Sequence, residues 1–220
     1  MSWHCHAVKF GLDEAIKTYQ EYFNEKIEKH GATPLGVDYN GLEAQQIRFE
    51  QLARVIHPEM PFSLIDFGCG YGALFDFLHA KSWQFEYYGY DMLEKMIGTG
   101  RNAHKDFANA HFTTQAGDLP SADYLLAGSI FNNKFGAGFD EWQNKVLDTL
   151  KQMNSLCTKG FSFDMLTKYS DPERMAERPD LFYADPLVFF DFCKRNFSRN
   201  VALLHDYGLY DFTIIVRKDI

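Results

Sequence analysis

Residues 63–72 read SLIDFGCGYG: an apolar run of strand length breaks into an acid, Asp66, and then into glycines at 68, 70 and 72. The octapeptide that follows, ALFDFLHA, has helical spacing. A buried strand that ends in a glycine turn and feeds directly into a helix opens an α/β sheet whose ligand edge lies at the strand carboxyl ends. Glycine permits the positive backbone angles of such a turn and lets a ligand approach the main chain closely. The helix N-terminus behind it presents unpaired N–H groups. Whatever else the chain does, this unit commits it to layered α/β architecture.

The rest of the pattern agrees. FEYYGYD is a second strand and LEKMIGTGRNAHKDF a helix. HFTTQAGD and DYLLAGSIFNN supply strands three and four, residues 141–157 a strong helix, and GFSFDML a fifth strand. A helical region interrupted by prolines spans 173–197, and VALLHDY with YDFTIIVRK closes the chain. Strands alternating with helices imply a mostly parallel sheet covered on both faces. The last two strands are joined by too few residues for a parallel crossover, so they must be antiparallel. In the final strand Tyr210, Phe212, Ile214 and Val216 alternate with more polar neighbours. Upstream, Leu12, Ile16, Tyr19, Phe23 and Ile27 predict a helix over 12–30, with Gly31 just past its end. Phe49, Leu52, Ala53 and Ile56 mark a second helix that stops before Pro58. Residues 1–60 are therefore expected to form a helical cap, and 61–220 the ligand-binding domain.

Acidic residues outnumber basic ones by 30 to 22, and no Lys/Arg cluster appears that could track phosphates. Nucleic acid and anionic membrane surfaces are thus excluded as expected partners. No apolar run reaches the length of a membrane span. Cys5, Cys69, Cys157 and Cys193 lack paired spacing, which predicts free thiols in a reducing compartment. The segment MSWHCHAVKF has no basic region followed by an apolar core, so a cytoplasmic location is expected. Its His4, Cys5 and His6 lie too close together, without a distant fourth ligand, to favour a tetrahedral metal site.

Gly68, Gly70 and Ala73 satisfy the dinucleotide pattern G-x-G-x-x-A, which keeps a nicotinamide oxidoreductase open as a reading. Asp66 weighs against it. A carboxylate two residues before the first glycine opposes a pyrophosphate and suits a cationic ligand. Asp91, about 20 residues downstream, ends the second strand where an acid can accept from both ribose hydroxyls. Asp118, in GDLP, closes the third strand where an acid can accept from an adenine amino group. Together these describe an adenosine whose other end is positive and free of phosphate, as in S-adenosylmethionine.

On DFGCGYG, GYD, AGDLP and ADYLLAGSIFNN, together with the closing antiparallel pair, the chain resembles the class I S-adenosylmethionine-dependent methyltransferases, small-molecule type, over about residues 60–218. The segment GVDYNGLEAQQIRFEQL is similar to the N-terminal part of some of them. The resemblance implies a Rossmann-like three-layer α/β sandwich with a seven-stranded, mostly parallel sheet, one antiparallel strand near the C-terminus, and an N-terminal helical lid. It further implies that Asp66, Gly68, Cys69 and Gly70 hold the methionine part and Asp91 with Met92 the ribose. Asp118 and Leu119 would hold the adenine, with Ser129 of the fourth-strand motif beside the cofactor. Arg48 would reach the methionine carboxylate. A methyl group would pass by in-line displacement to a small-molecule acceptor bound beneath the lid, by a monomer or homodimer. Asn132 and His205 follow strands that should end at the same edge, and are the candidate acceptor-side residues, His205 as a base oriented by Asp206. Turn formation by Asn132 and plain surface exposure of His205 are the alternatives. A non-catalytic relative that only binds the cofactor also stays open.

Overall fold

The computed structural model describes residues 11–219. In chain order the elements are α1 (Leu12–His30), a 3-10 turn (Pro34–Val37), α2 (Leu42–Ala53), β1 (Phe62–Phe67), α3 (Ala73–Ala80), β2 (Phe85–Tyr90), α4 (Glu94–Ala103) and β3 (Ala110–Thr113). A second 3-10 turn (Ala116–Asp118) leads to β4 (Ala122–Ala127), α5 (Phe139–Leu156), β5 (Cys157–Leu166), α6 (Pro172–Glu177), α7 (Pro186–Asn196), β6 (Asn200–Leu204) and β7 (Asp211–Arg217). Local chemistry explains the helix ends. Asp13 and Glu14 in the first turn of α1, with Lys29 and His30 in its last, complement the helix dipole. Asp185 caps α7 by accepting from the Leu187 N–H, and Pro186 occupies the first turn, where no donor is needed.

The seven strands lie in the order β3-β2-β1-β4-β5-β7-β6. All neighbouring pairs are parallel except those made by β7, which runs antiparallel to both β5 and β6. One face of the sheet, with Ile65, Leu125, Phe161, Phe163 and Ile214, packs on Trp142, Val146 and Leu150 of α5 and Phe189 of α7. The other face, with Leu64, Tyr124 and Leu126, packs on Phe49 and Leu52 of α2 and Phe75 and Leu78 of α3. This is the expected three-layer Rossmann-like sandwich. Helix α1 buries Phe23 and Ile27 against Tyr71, Leu93 and Met96, and its Ala15 joins the core on the α5 side of the sheet.

Three local expectations change. The third strand stops at Thr113, and residues 116–118 turn instead, because β3 is an edge strand with one partner and Gly117 follows. Strand β5 begins at Cys157 directly after α5, so that thiol is a strand residue and not the last rung of a helix face. In β7 the polar positions Asp211 and Thr213 are as buried as Phe212 and Ile214, because a strand between two partners is covered by helices on both sides.

Phe75 is fully buried amid the rings of His79, Phe85, Tyr87, His104 and Phe107. Phe75→Ala is therefore expected to cost about 3–5 kcal/mol of stability, as large-to-small core substitutions do. Urea unfolding of the variant and the parent protein measures it.

Candidate functional site

The loop after β1 is latched to the end of β2. The N–H groups of Gly68 and Cys69 both donate to the Tyr90 carbonyl, at 2.7 and 2.9 Å. Gly68 has φ +84°, and a Cβ there would come within 2.3 Å of the Ile130 side chain. No residue but glycine fits. Gly70 (φ +54°) donates its N–H to Asp91 Oδ2 at 3.0 Å, and Asp91 Oδ1 accepts from the Leu93 N–H at 3.0 Å. Asp91 thus ties the glycine loop to the start of α4 while two lone pairs stay free for a ligand. Burial pushes its carboxyl up to about 6, and the Leu93 and Gly70 N–H bonds pull it back.

Asp66 does not cap α3, whose N-terminal residue Gly72 has no side-chain cap. It is buried in β1 and accepts a 2.6 Å hydrogen bond from the Tyr87 hydroxyl of the neighbouring strand. Tyr87 stands opposite Leu64, and so on the same sheet face as Asp66. Burial raises the Asp66 carboxyl to about 7, against the pull of Tyr87. Cys69 is buried beside both acids, its thiol driven well up by desolvation first, so it is no nucleophile.

Three adjoining cavities open at this edge. The first, of about 650 Å³, is bounded by Asp66, Gly68, Cys69, Gly70, Asp91 and Ser129, and roofed by Tyr19, Phe23, Val37 and Tyr39 from the N-terminal segment. The second, about 880 Å³, shares Gly68, Asp91, Tyr19 and Ile130 and adds Met92, Ala116, Phe131 and Trp142. The third, about 610 Å³, meets the first along Phe23, Val37, Tyr39 and Ser129 and extends to Arg48, Asn132, Arg174 and Arg178. The sequence-derived residues Asp66, Gly68, Cys69, Gly70, Asp91, Met92 and Ser129 are thereby brought together.

Others are placed differently. Ala116, not Asp118, faces the second cavity. Asp118 is exposed, 3.5 Å from Thr113 Oγ1, and Leu119 is buried in the core, because the 3-10 turn rotates both away. Arg48 is already engaged: its Nη2 donates to Asp211 Oδ2 at 2.5 Å, its Nε lies 3.8 Å from Asp164 Oδ2, and its guanidinium covers the Tyr39 ring. Burial and the neighbouring Asp211 raise the Asp164 carboxyl, with Arg48 opposing them. Ser129, held at φ +59°, donates its N–H to the same Asp164.

Asn132 uses its side-chain oxygen to accept from the Leu166 N–H at 2.9 Å, and its carbonyl accepts from the Phe182 N–H. It joins the ends of β4 and β5 and lines the third cavity. His205 follows the edge strand β6, two positions beyond β5, where it is exposed and packs on Tyr169 and Phe212. It lines none of these cavities, so the base role expected for it and Asp206 has no geometric support. His4, Cys5 and His6 lie outside the described residues. Among those described, no three His, Cys, Asp or Glu side chains group as metal ligands, and no helix is long and apolar enough to cross a membrane.

Sequence reasoning did not assign Tyr87, Asp164, Asp211 or Arg174 to the site. For Asp164 and Asp211 a signal was present: each is a lone acid inside an otherwise apolar strand, which demands a buried partner.

Comparisons with known proteins follow this geometry. Human N-acetylserotonin methyltransferase, solved with S-adenosylmethionine, superposes with a TM-score of 0.62 over 96% of this chain and 61% of its own, at 13% identity. The N-methyltransferase NodS from Bradyrhizobium japonicum WM9, solved with S-adenosylhomocysteine, gives 0.61 over 91% of this chain and 98% of its own, at 12% identity. The fold is that of the class I methyltransferases. No family model matches the chain. A protein of Mycobacterium tuberculosis (strain ATCC 25618 / H37Rv) with the name "Putative methyltransferase Rv1506c" is 46% identical over 165 residues, which cover 75% of this chain and 98% of that protein. The chain belongs to the methyltransferase family of that relative.

The raised carboxyls set a pH dependence. Asp66 is protonated in the folded protein at pH values where it is ionised in the unfolded chain. Its contribution to stability is present below about pH 4 and is lost as pH rises through about 7. Asp91 acts in the same direction up to about pH 6. Ligand-free protein is expected to lose urea resistance between about pH 4 and pH 7, and Asp66→Asn to flatten that loss. Equal slopes in variant and parent would contradict the assignment.

Proposed function

We propose that the protein transfers the methyl group of S-adenosylmethionine to a small-molecule acceptor. The observation that carries this reading is the pairing of Asp66 and Asp91 with the glycine turn in the lining of one cavity. Asp66 suits the ammonium and sulfonium end of the cofactor, and the free lone pairs of Asp91 suit the ribose hydroxyls. Met92 and Ile130 line the second cavity as apolar surfaces that fit a purine ring, with the Trp142 indole N–H already committed to the Phe131 carbonyl at 2.9 Å. Asp66, beside the glycine turn, opposes the pyrophosphate of NAD.

The bound cofactor supplies an activated methyl group on a positive sulfur. The protein's own task is alignment and exclusion of water. Tyr19, Phe23, Val37 and Tyr39 serve the second purpose as a lid from residues 1–60. An electronegative pocket stabilises the sulfonium before reaction more than at the transition state, so Asp66 contributes binding and not rate. The acceptor enters through the third cavity, next to Ser129, with Asn132 holding the ends of β4 and β5 in place as a positioning residue. No residue there is placed to act as a strong base, which favours an acceptor already nucleophilic at neutral pH. The reaction fits the cytoplasm, where the cofactor is made.

S-adenosylhomocysteine at about 100 times its dissociation constant should add about 2.7 kcal/mol of stability, read as a raised melting temperature, while NAD adds none. Stabilisation by NAD alone would sink the proposal. Asp91→Ala should weaken S-adenosylhomocysteine binding at least about tenfold, through lost charge-assisted hydrogen bonds, in a variant still folded by circular dichroism. Calorimetry giving the parent's affinity would refute the ribose role. Cofactor binding without turnover of any acceptor would instead mark a binding protein.

A further inference from the structure

The third cavity has a charge balance unlike the rest of this acidic chain. Its charged lining residues are Asp38, Arg48, Arg174 and Arg178. Three of these four have a charged partner. Asp38 accepts from Lys26 Nζ at 2.8 Å and from the Tyr22 hydroxyl at 2.9 Å. Arg48 is held by Asp211, and Arg178 by Asp180 at 2.8 Å.

Arg174 has no ion pair among the described residues. Its guanidinium lies over the Tyr210 ring, 5.0 Å from the centroid. Its Nε is buried and lacks a hydrogen-bond acceptor. Nearby in the same lining, Asn133 is 7% exposed and its side-chain oxygen is buried without a donor. The cavity thus holds unmet demands of opposite kind: the Nε donors of Arg174 and Arg48 lacking an acceptor, and an amide oxygen lacking a donor. Of the two arginines only Arg174 also has no ion pair among the described residues. Buried polar groups in such a state cost free energy until a ligand answers them.

We propose that the methyl acceptor is a small amino-carboxylic acid whose amine, like an arylamine, is uncharged at neutral pH. Its carboxylate pairs with Arg174, and its amino group donates to Asn133. As the nitrogen takes the methyl group from sulfur, S-adenosylhomocysteine leaves and the extra proton on nitrogen passes to water. A carboxylate matches the planar guanidinium fork. One unpaired arginine balances one negative charge, which favours a monoanion over a doubly charged phosphate. This inference rests on the methyltransferase reading, because it assigns the third cavity to the acceptor.

The test is calorimetric titration of the protein, with and without saturating S-adenosylhomocysteine. The probes are 4-aminobenzoate and 3-aminobenzoate, each against its carboxamide, with phenyl phosphate as the dianion. At least one acid should bind tenfold or more tighter than its amide. Arg174→Gln should erase that difference, and Arg174→Lys should restore part of it. Both variants should keep S-adenosylhomocysteine affinity within about twofold. The proposal is overturned if no acid outbinds its amide, if the preference survives Arg174→Gln, or if phenyl phosphate outbinds every acid. A tenfold loss of S-adenosylhomocysteine affinity in Arg174→Gln overturns it too, by assigning the arginine to the cofactor's own carboxylate. Acid preference in a protein that does not bind S-adenosylhomocysteine would support the acid site while sinking the cofactor reading.

Discussion

The carbonyl of Tyr90 takes two main-chain N–H groups from the loop after β1, and the rest of the site hangs on that contact. It fixes where the glycine turn lies relative to the end of β2. Asp91, one residue on, completes the latch by accepting from Gly70 and Leu93. The same residues that shape the ligand floor therefore also hold α4 in place. The cavity floor is thus built from the same hydrogen bonds that fix the local fold.

A second constraint is buried charge. Arg48, Asp164 and Asp211 sit together with side chains 12%, 0% and 0% exposed. Two acids and one base leave an excess of negative charge in a setting that penalises it, which is why Asp164 is driven toward its neutral form. The cluster joins α2 to β5 and β7, and through the Ser129 N–H to the end of β4. It anchors the N-terminal helices to the sheet at the same edge that carries the cavities. Replacing such a cluster with apolar groups could be neutral for stability, whereas breaking one partner would not.

Much of the architecture was legible in the residues. Strand–turn–helix at 63–80 and the short hairpin at the C-terminus are local patterns, and both are found where expected. Asp66 and Asp91 were legible because strand ends and glycine spacing are themselves local. Legibility failed where long-range geometry decides. Arg48 was assigned a ligand, yet β7 brings Asp211 to it from 163 residues away. Asp118 looked like the end of a strand, but an edge strand with a single partner stops early and the turn carries Ala116 inward instead. His205 follows a strand with the right polarity, but sheet order puts that strand outermost. No local signal encodes the order of strands.

Strand β7 runs against its neighbours, so it delivers its first residue where the others deliver their last. The short β6–β7 connection therefore belongs to the same rim as the parallel loops, and both its tyrosines are put to use there. Tyr207 bonds Thr213 beneath the rim, and Tyr210 backs Arg174. A fold of this kind has two independent handles on one rim. The early loops are bound by the demands of a shared nucleoside, whereas the last hairpin answers to none of them. Insertions or exchanges in that hairpin are a route by which relatives could drift toward new acceptors while the donor end stays as it is.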